Sequence, residues 1–73
     1  MESERIVHEF EKGGGEVIRC RVTTFKGQHY ADVRVFWEDD DGEHRPSKKG
    51  ITVAVDLIDE LAEGIAKLKA AVQ

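Results

Sequence analysis

The sequence predicts an α+β domain in which a curved four-stranded antiparallel sheet is followed by one C-terminal helix, in the order ββββα. Three observations carry this reading. Residues 16–25 and 29–37 alternate in character with a period of two, the signature of strands with two distinct faces. Gly13-Gly14-Gly15 and Lys26-Gly27-Gln28 precede those runs as tight-turn signals, which makes successive strands antiparallel. Only residues 58–72 change to the spacing of a helix, with Ile58, Leu61, Ala62, Ile65, Leu68 and Val72 on one stripe.

The elements follow in order. Residues 6–12 form a first strand ahead of the glycine turn. In the second strand Ile18, Cys20, Val22 and Thr24 share one face, and Val17, Arg19, Arg21, Thr23 and Phe25 share the other. In the third, Ala31, Val33 and Val35 oppose Tyr30, Asp32, Arg34 and Phe36. By strict parity Trp37 falls with Val35, unless a bulge or the strand end turns it outward. Residues 38–48 read as an exposed loop, with Asp41-Gly42 and Pro46 as turn chemistry. Residues 49–55 form a fourth strand, β-branched at Ile51, Thr52, Val53 and Val55.

The helix is expected over residues 55–72. Asp56, Asp59 and Glu60 lie near its start and Lys67 and Lys69 near its end, which suits the helix dipole. Gly64 in its middle costs about 1 kcal/mol relative to Ala. It is either tolerated or a point of close approach for a second helix. The Ile18/Cys20/Val22 and Ala31/Val33/Val35 sets pack on the helix, and the opposite sheet face is expected to be open.

A chain of 73 residues is one domain, 1–73, and its core is marginal. Cys20 is the only cysteine, so there is no internal disulfide. One Cys with His8, His29 and His44 scattered makes no zinc ligand set. Oligomerisation is the remaining route to stability, so a homodimer through the helix is expected. No apolar run reaches the roughly 18 residues that span a membrane. The opening Met-Glu-Ser-Glu-Arg lacks the pattern of a signal peptide. A soluble, intracellular protein in a reducing compartment is the expectation.

The net charge of −4 is unevenly spread. Arg19, Arg21, Lys26 and Arg34 face only Glu16 and Asp32 within residues 16–37, and Arg45, Lys48 and Lys49 add a second basic stretch. On the open face Arg19, Arg21, Tyr30, Arg34 and Phe25 interleave cations with rings. Cations follow phosphates and rings stack on unpaired bases, at about 1–3 kcal/mol per base. The alternative is an unliganded sheet surface, since Arg, Thr and Tyr favour exposed strands anyway. Phe36 reads either as part of that surface or as a cover for the sheet edge.

The acidic run at residues 38–43 lacks the spacing of a calcium loop and reads as solvated. No Ser/His/Asp or Cys/His nucleophile set can be assembled. The expectation is a protein that is not an enzyme and holds no metal or cofactor.

Phe25-Lys26-Gly27, Tyr30-Ala31-Asp32-Val33-Arg34, Phe36-Trp37, Asp41-Gly42-Glu43 and Pro46-Ser47-Lys48-Lys49-Gly50-Ile51-Thr52 together resemble a known family. It is the single-stranded-DNA-binding domain of the transcriptional coactivator called positive cofactor 4. The resemblance runs from about Val22 into the helix, and the free-standing size is similar to the family's bacterial members. It implies two copies paired through their helices, with single strands held in antiparallel β-channels. It also implies that Phe25 and Trp37 stack on bases, with Trp37 outward, and that Lys26, Arg34, Lys48 and Lys49 contact phosphates. Ala54 departs from the family's helix-capping residue, which would weaken the helix start or shift it toward Asp56. Gln28 and Ile58 also depart, standing where Lys and Trp are common.

The expected function is therefore sequence-tolerant binding of single-stranded DNA, in transcription, replication or repair. RNA binding is a variant, and a protein-interaction adaptor on the same face is the alternative. Transcription or replication proteins are expected partners. The expected location is the cytoplasm, with the nucleoid, in a bacterium and the nucleus in a eukaryote.

Overall fold

The computed structural model describes residues 3–73; Met1 and Glu2, part of the acidic N-terminal segment and of the opening read for a signal peptide, lie outside the described residues. Four strands, β1 (Ser3–Gly13), β2 (Glu16–Phe25), β3 (Gln28–Glu38) and β4 (His44–Ala54), form one antiparallel sheet in sequential order. A 3₁₀ turn (Val55–Leu57) leads into α1 (Ile58–Ala71). The expected ββββα order is the observed one.

Both hairpin turns follow from backbone freedom. Gly14 and Gly15 adopt φ of 64° and 81°, the left-handed pair that a two-residue turn demands, and Gly13 pairs with Glu16 across them. Lys26 and Gly27 do the same at φ 51° and 77°, with Phe25 paired to Gln28. A lysine is an unusual occupant of that first position, because its Cβ crowds the carbonyl there.

Three boundaries differ from the sequence reading. β1 is longer than residues 6–12, because its pairing with β2 continues outward to Ser3↔Thr24. β4 begins at His44 and not at residue 49, which shortens the loop to residues 39–43. Pro46 is compatible with this because β4 is an edge strand and need not donate on its outer side. The α-helix starts three residues after 55. Ala54 is extended and offers no capping side chain, so the chain makes a 3₁₀ turn first.

The larger difference concerns burial. α1 has no buried residue among the described residues. Ile58, Leu61, Ala62 and Ile65 face Val7, Cys20, Val22, Ala31 and Val33 across an apolar cleft of about 310 Å³ that remains open. The helix does lie on the predicted sheet face, but it does not close over it. The most buried residues, Val17 (7% exposed), Phe36 (3%) and Asp32 (2%), are on the opposite face, the one expected to be open. The reason is that long arginine side chains cover that face, as described next.

Candidate nucleic-acid interface

Antiparallel register brings the polar face together. Counting outward from the Lys26-Gly27 turn sets Thr23 against Tyr30, Arg21 against Asp32, Arg19 against Arg34 and Val17 against Phe36. Arg19 and Arg21 place their guanidiniums over the Phe36 ring, 4.6 and 5.0 Å from its centre. A cation over an aromatic face is attracted by the ring quadrupole, and the arginine stems exclude water from the ring. Phe36 is thus a core residue beneath the arginines, which corrects both of its readings: it is neither part of an open surface nor a cover for the sheet edge, because it lies on the interior strand β3 and is itself covered.

Asp32 is the hub of the face. Its carboxylate accepts from Arg21 Nε and Nη2 at 2.9 and 2.7 Å, from Arg34 Nη2 at 2.9 Å, and from the Thr52 hydroxyl at 2.6 Å. Burial alone would push this carboxyl up. The hydrogen bonds from Arg34, Thr52 and Arg21 outweigh it and hold Asp32 below its usual 3.8. Arg34 also donates to the Ser47 carbonyl at 3.0 Å, which ties β3 to β4.

The arginines are therefore engaged inside the protein. Arg19 pairs with Glu9 at 2.6 Å, and Arg21 reaches Glu4 as well as Asp32. Arg45 pairs with Asp39 at 2.7 Å and lies 3.6 Å from Glu43. The Asp39 carboxyl is held low, first by the Arg45 hydrogen bond and then by the backbone N–H of Glu43, and Arg45 is raised by the same contact. Asp39 Oδ1 also accepts from the N–H groups of Asp41 and Glu43, which ties the loop at residues 39–43 into a compact turn.

Other cations are free. Among the described residues, Lys26, Lys48 and Lys49 form no ion pair and are exposed. Lys26 lies over the Phe25 ring, 5.2 Å from its centre, at the tip of the β2–β3 hairpin. Phe25 is 45% exposed and Trp37 is 44% exposed, each far above a packed ring. Tyr30 is half-buried and donates to Gln28 at 3.1 Å.

A bulge presents the lysine pair. Arg34 pairs with Gly50 and Phe36 with Pro46, so Ser47, Lys48 and Lys49 all stand opposite Val35. The Ser47 hydroxyl patches the broken ladder: it donates to the Val35 carbonyl at 2.7 Å and accepts from the Lys49 N–H at 3.0 Å. Gly50 is required for the return, because a Cβ there would lie 2.7 Å from the Val33 carbonyl oxygen and 2.9 Å from Arg34 Cα.

The β2–β3 register runs without a slip to Val17↔Phe36, and the irregularity lies in β4. Trp37 therefore stays in phase with Val35 and opposite Arg45, while Phe25 is in phase with Arg19 and Arg21. Trp37 is outward in the sense of being exposed, but from its strand end and not through a bulge in β3.

Sequence reading missed the Asp32 hub, the partners Glu4 and Glu9, and the roles of Ser47, Gly50 and Thr52. Asp32 was within reach, since counting back from a two-residue turn sets it opposite Arg21. The β1 acids were not, because a register shift between Ile6 and His8 decides which of them face Arg19.

The candidate site is thus an open antiparallel sheet with exposed rings and unpaired lysines beside a self-neutralised arginine cluster. Residues 12–64 match the family described as Transcriptional Coactivator p15 (PC4), and the chain belongs to that family. Among solved structures it is similar to a PC4 homolog from Burkholderia pseudomallei K96243 in two crystal forms. The tetragonal form has a TM-score of 0.86 at 25% identity over 92% of this chain and 98% of that one. The orthorhombic form has a TM-score of 0.84 at the same identity, over 92% and 90%. It is also similar to a bacteriophage T5 homolog of this coactivator, implicated in recombination-dependent DNA replication. That match has a TM-score of 0.72 at 25% identity over 97% of this chain and 80% of that one.

Proposed function

We propose that this protein binds single-stranded DNA with little sequence preference, as a homodimer, in transcription or in DNA replication and repair. The observation that carries the reading is Phe25 with Lys26 over its ring, both exposed at a hairpin tip and without an internal role. An exposed ring with an adjacent unpaired ammonium suits a base stacked on the ring and a phosphate beside it. Duplex DNA hides its base faces, so such a ring favours a single strand. Lys48 and Lys49 supply further phosphate contacts, and Trp37 a second exposed ring. Membership of a coactivator family and likeness to a phage protein implicated in DNA replication support the same reading. The role is binding and not catalysis, in the cytoplasm with the nucleoid in a bacterium and in the nucleus in a eukaryote.

Fluorescence anisotropy of labelled oligothymidylate, with a matched duplex and an oligouridylate alongside, tests this. Binding to the single strand should exceed binding to the duplex, weaken as salt rises, and quench Trp37. A Phe25→Ala/Trp37→Ala variant should lose tenfold or more in affinity while retaining its circular dichroism spectrum, in keeping with about 1–3 kcal/mol per stacked base. Equal affinity for duplex and single strand would overturn the reading, and preference for oligouridylate would redirect it to RNA.

A further inference from the structure

The arginine face carries its own counter-anions. Three carboxylates, Glu4, Glu9 and Asp32, meet three guanidiniums, Arg19, Arg21 and Arg34, so the cluster is neutral as it stands. The three acids are not equivalent. Asp32 is 2% exposed and held by three hydrogen-bonding side chains, one each from β2, β3 and β4, so it belongs to the fold. The Glu4 and Glu9 side chains are 49% and 43% exposed, on the edge strand β1, and each makes a single ion pair. A solvent-facing pair of this kind is worth little and exchanges readily with another anion.

Their placement depends on an irregularity. In a regular β1, Glu4 would share its face with His8, and Glu9 would fall on the opposite one. The register shift between Ile6 and His8 turns the strand over, so that Glu9 pairs with Arg19 on the face that Ile6 shares with Arg21.

Resting on the single-strand reading above, we propose that Glu4 and Glu9 are specificity-determining residues. They occupy Arg19 and Arg21 as intramolecular stand-ins for phosphate and limit the cations that the face offers to a strand. In the resting protein the ionic contacts come from Lys26, Lys48 and Lys49, at the β2–β3 turn and on β4. The β1 side of the sheet is the neutral border of the site. Removal of the two charges opens that border. Arg19 is already oriented over Phe36, and Arg21 keeps its bonds to Asp32, so both guanidiniums receive a phosphate without rearrangement.

The experiment is a salt titration of oligothymidylate binding for the wild type, for Glu4→Gln/Glu9→Gln, and for Glu11→Gln/Glu60→Gln. The last removes the same charge from positions without an ion pair among the described residues. For a single strand each neutralised phosphate contributes about 0.7 to the log–log slope, so three lysines give about −2 and two freed arginines bring it to about −3.5. The wild type and the control pair should share the shallow slope, and Glu4→Gln/Glu9→Gln should be steeper and tighter at low salt. Identical slopes in the two double variants overturn the proposal while leaving the single-strand reading intact. A wild type that does not bind at low salt overturns both. A second arm uses Arg19→Gln, which should change affinity less than twofold in the wild type but severalfold in Glu9→Gln. Equal losses in both backgrounds overturn the masking role.

Discussion

At the scale of single residues, one carboxylate organises the face. Asp32 is 2% exposed, and its partners are two guanidiniums and a hydroxyl. Asp32→Asn keeps the shape and removes the charge, leaving Arg21 and Arg34 in mutual repulsion. Loss of one member of a buried ionic group costs about 3–5 kcal/mol, and chemical denaturation at neutral pH should show a loss near the lower bound, because the arginines are partly solvated. The acid limb follows from the same contact. Asp32 titrates below 3.8 when folded, so its stabilisation is present above that value and is lost as pH falls through its folded pKa. Stability measured from pH 6 down to pH 3 should fall steeply below about pH 4 in the wild type and less steeply in Asp32→Asn. Lys26 is the opposite case, a residue kept against local preference. It holds φ 51° in a turn that favours Asn-Gly. Lys26→Asn should gain about 0.5–1 kcal/mol in stability, by relief of the left-handed strain, and lose affinity for oligothymidylate. A variant that is both less stable and equally competent in binding would show that the lysine is there for the fold.

Among elements, β4 is where the sequence pattern was least readable and the structure most specific. Period-two alternation located β2 to the residue and β3 within one, because both are central strands with distinct faces. It failed at residues 44–48, since a three-residue bulge has no period and Pro46 signals a turn as readily as an edge strand. The same irregularity displays Lys48 and Lys49, which charge distribution picked out in the sequence but strand parity could not place. Arg19, Arg21 and Arg34 were legible by parity as sharing a face, but their partners were not. Gly50 sets the geometry of this element. Its φ is not left-handed, so the obstacle to a side chain is contact with the β3 backbone and not torsion. Gly50→Ala should cost about 1–3 kcal/mol, the usual range for an overpacked site. It should also weaken oligothymidylate binding by displacing Lys48 and Lys49, whereas Gly64→Ala, with open space around the added methyl, should stabilise α1 by up to about 1 kcal/mol. Denaturation midpoints of the two glycine variants, shifted in opposite directions, would verify both assignments.

For the whole molecule the governing fact is thinness. The chain measures 38 × 37 × 18 Å, a single sheet with a helix that does not close over it. Among the described residues Val17 and Phe36 are the buried apolar ones, while Val55, Leu57, Ile58, Ile65, Leu68 and Val72 are exposed along the 3₁₀ turn, α1 and its C-cap. Among the described residues, two buried apolar side chains do not offset the ordering of a chain this long, where about 1–2 kcal/mol per residue is lost in backbone entropy alone. A second copy applied to the apolar side of α1 would cover that stripe and the adjoining cleft. Folding and association are then one equilibrium, and the thermal midpoint must rise with protein concentration. Sedimentation velocity should give a dimer, and melts at two well-separated concentrations should differ in midpoint. Ile65→Asp, which sets a carboxylate in the apolar stripe, should abolish the dimer and take most of the cooperative transition with it. A monomer in sedimentation with a sharp, concentration-independent melt would mean that the helix and sheet close the cleft within one chain. The arginine face would be unaffected by that outcome, because every contact that builds it lies within a single sheet.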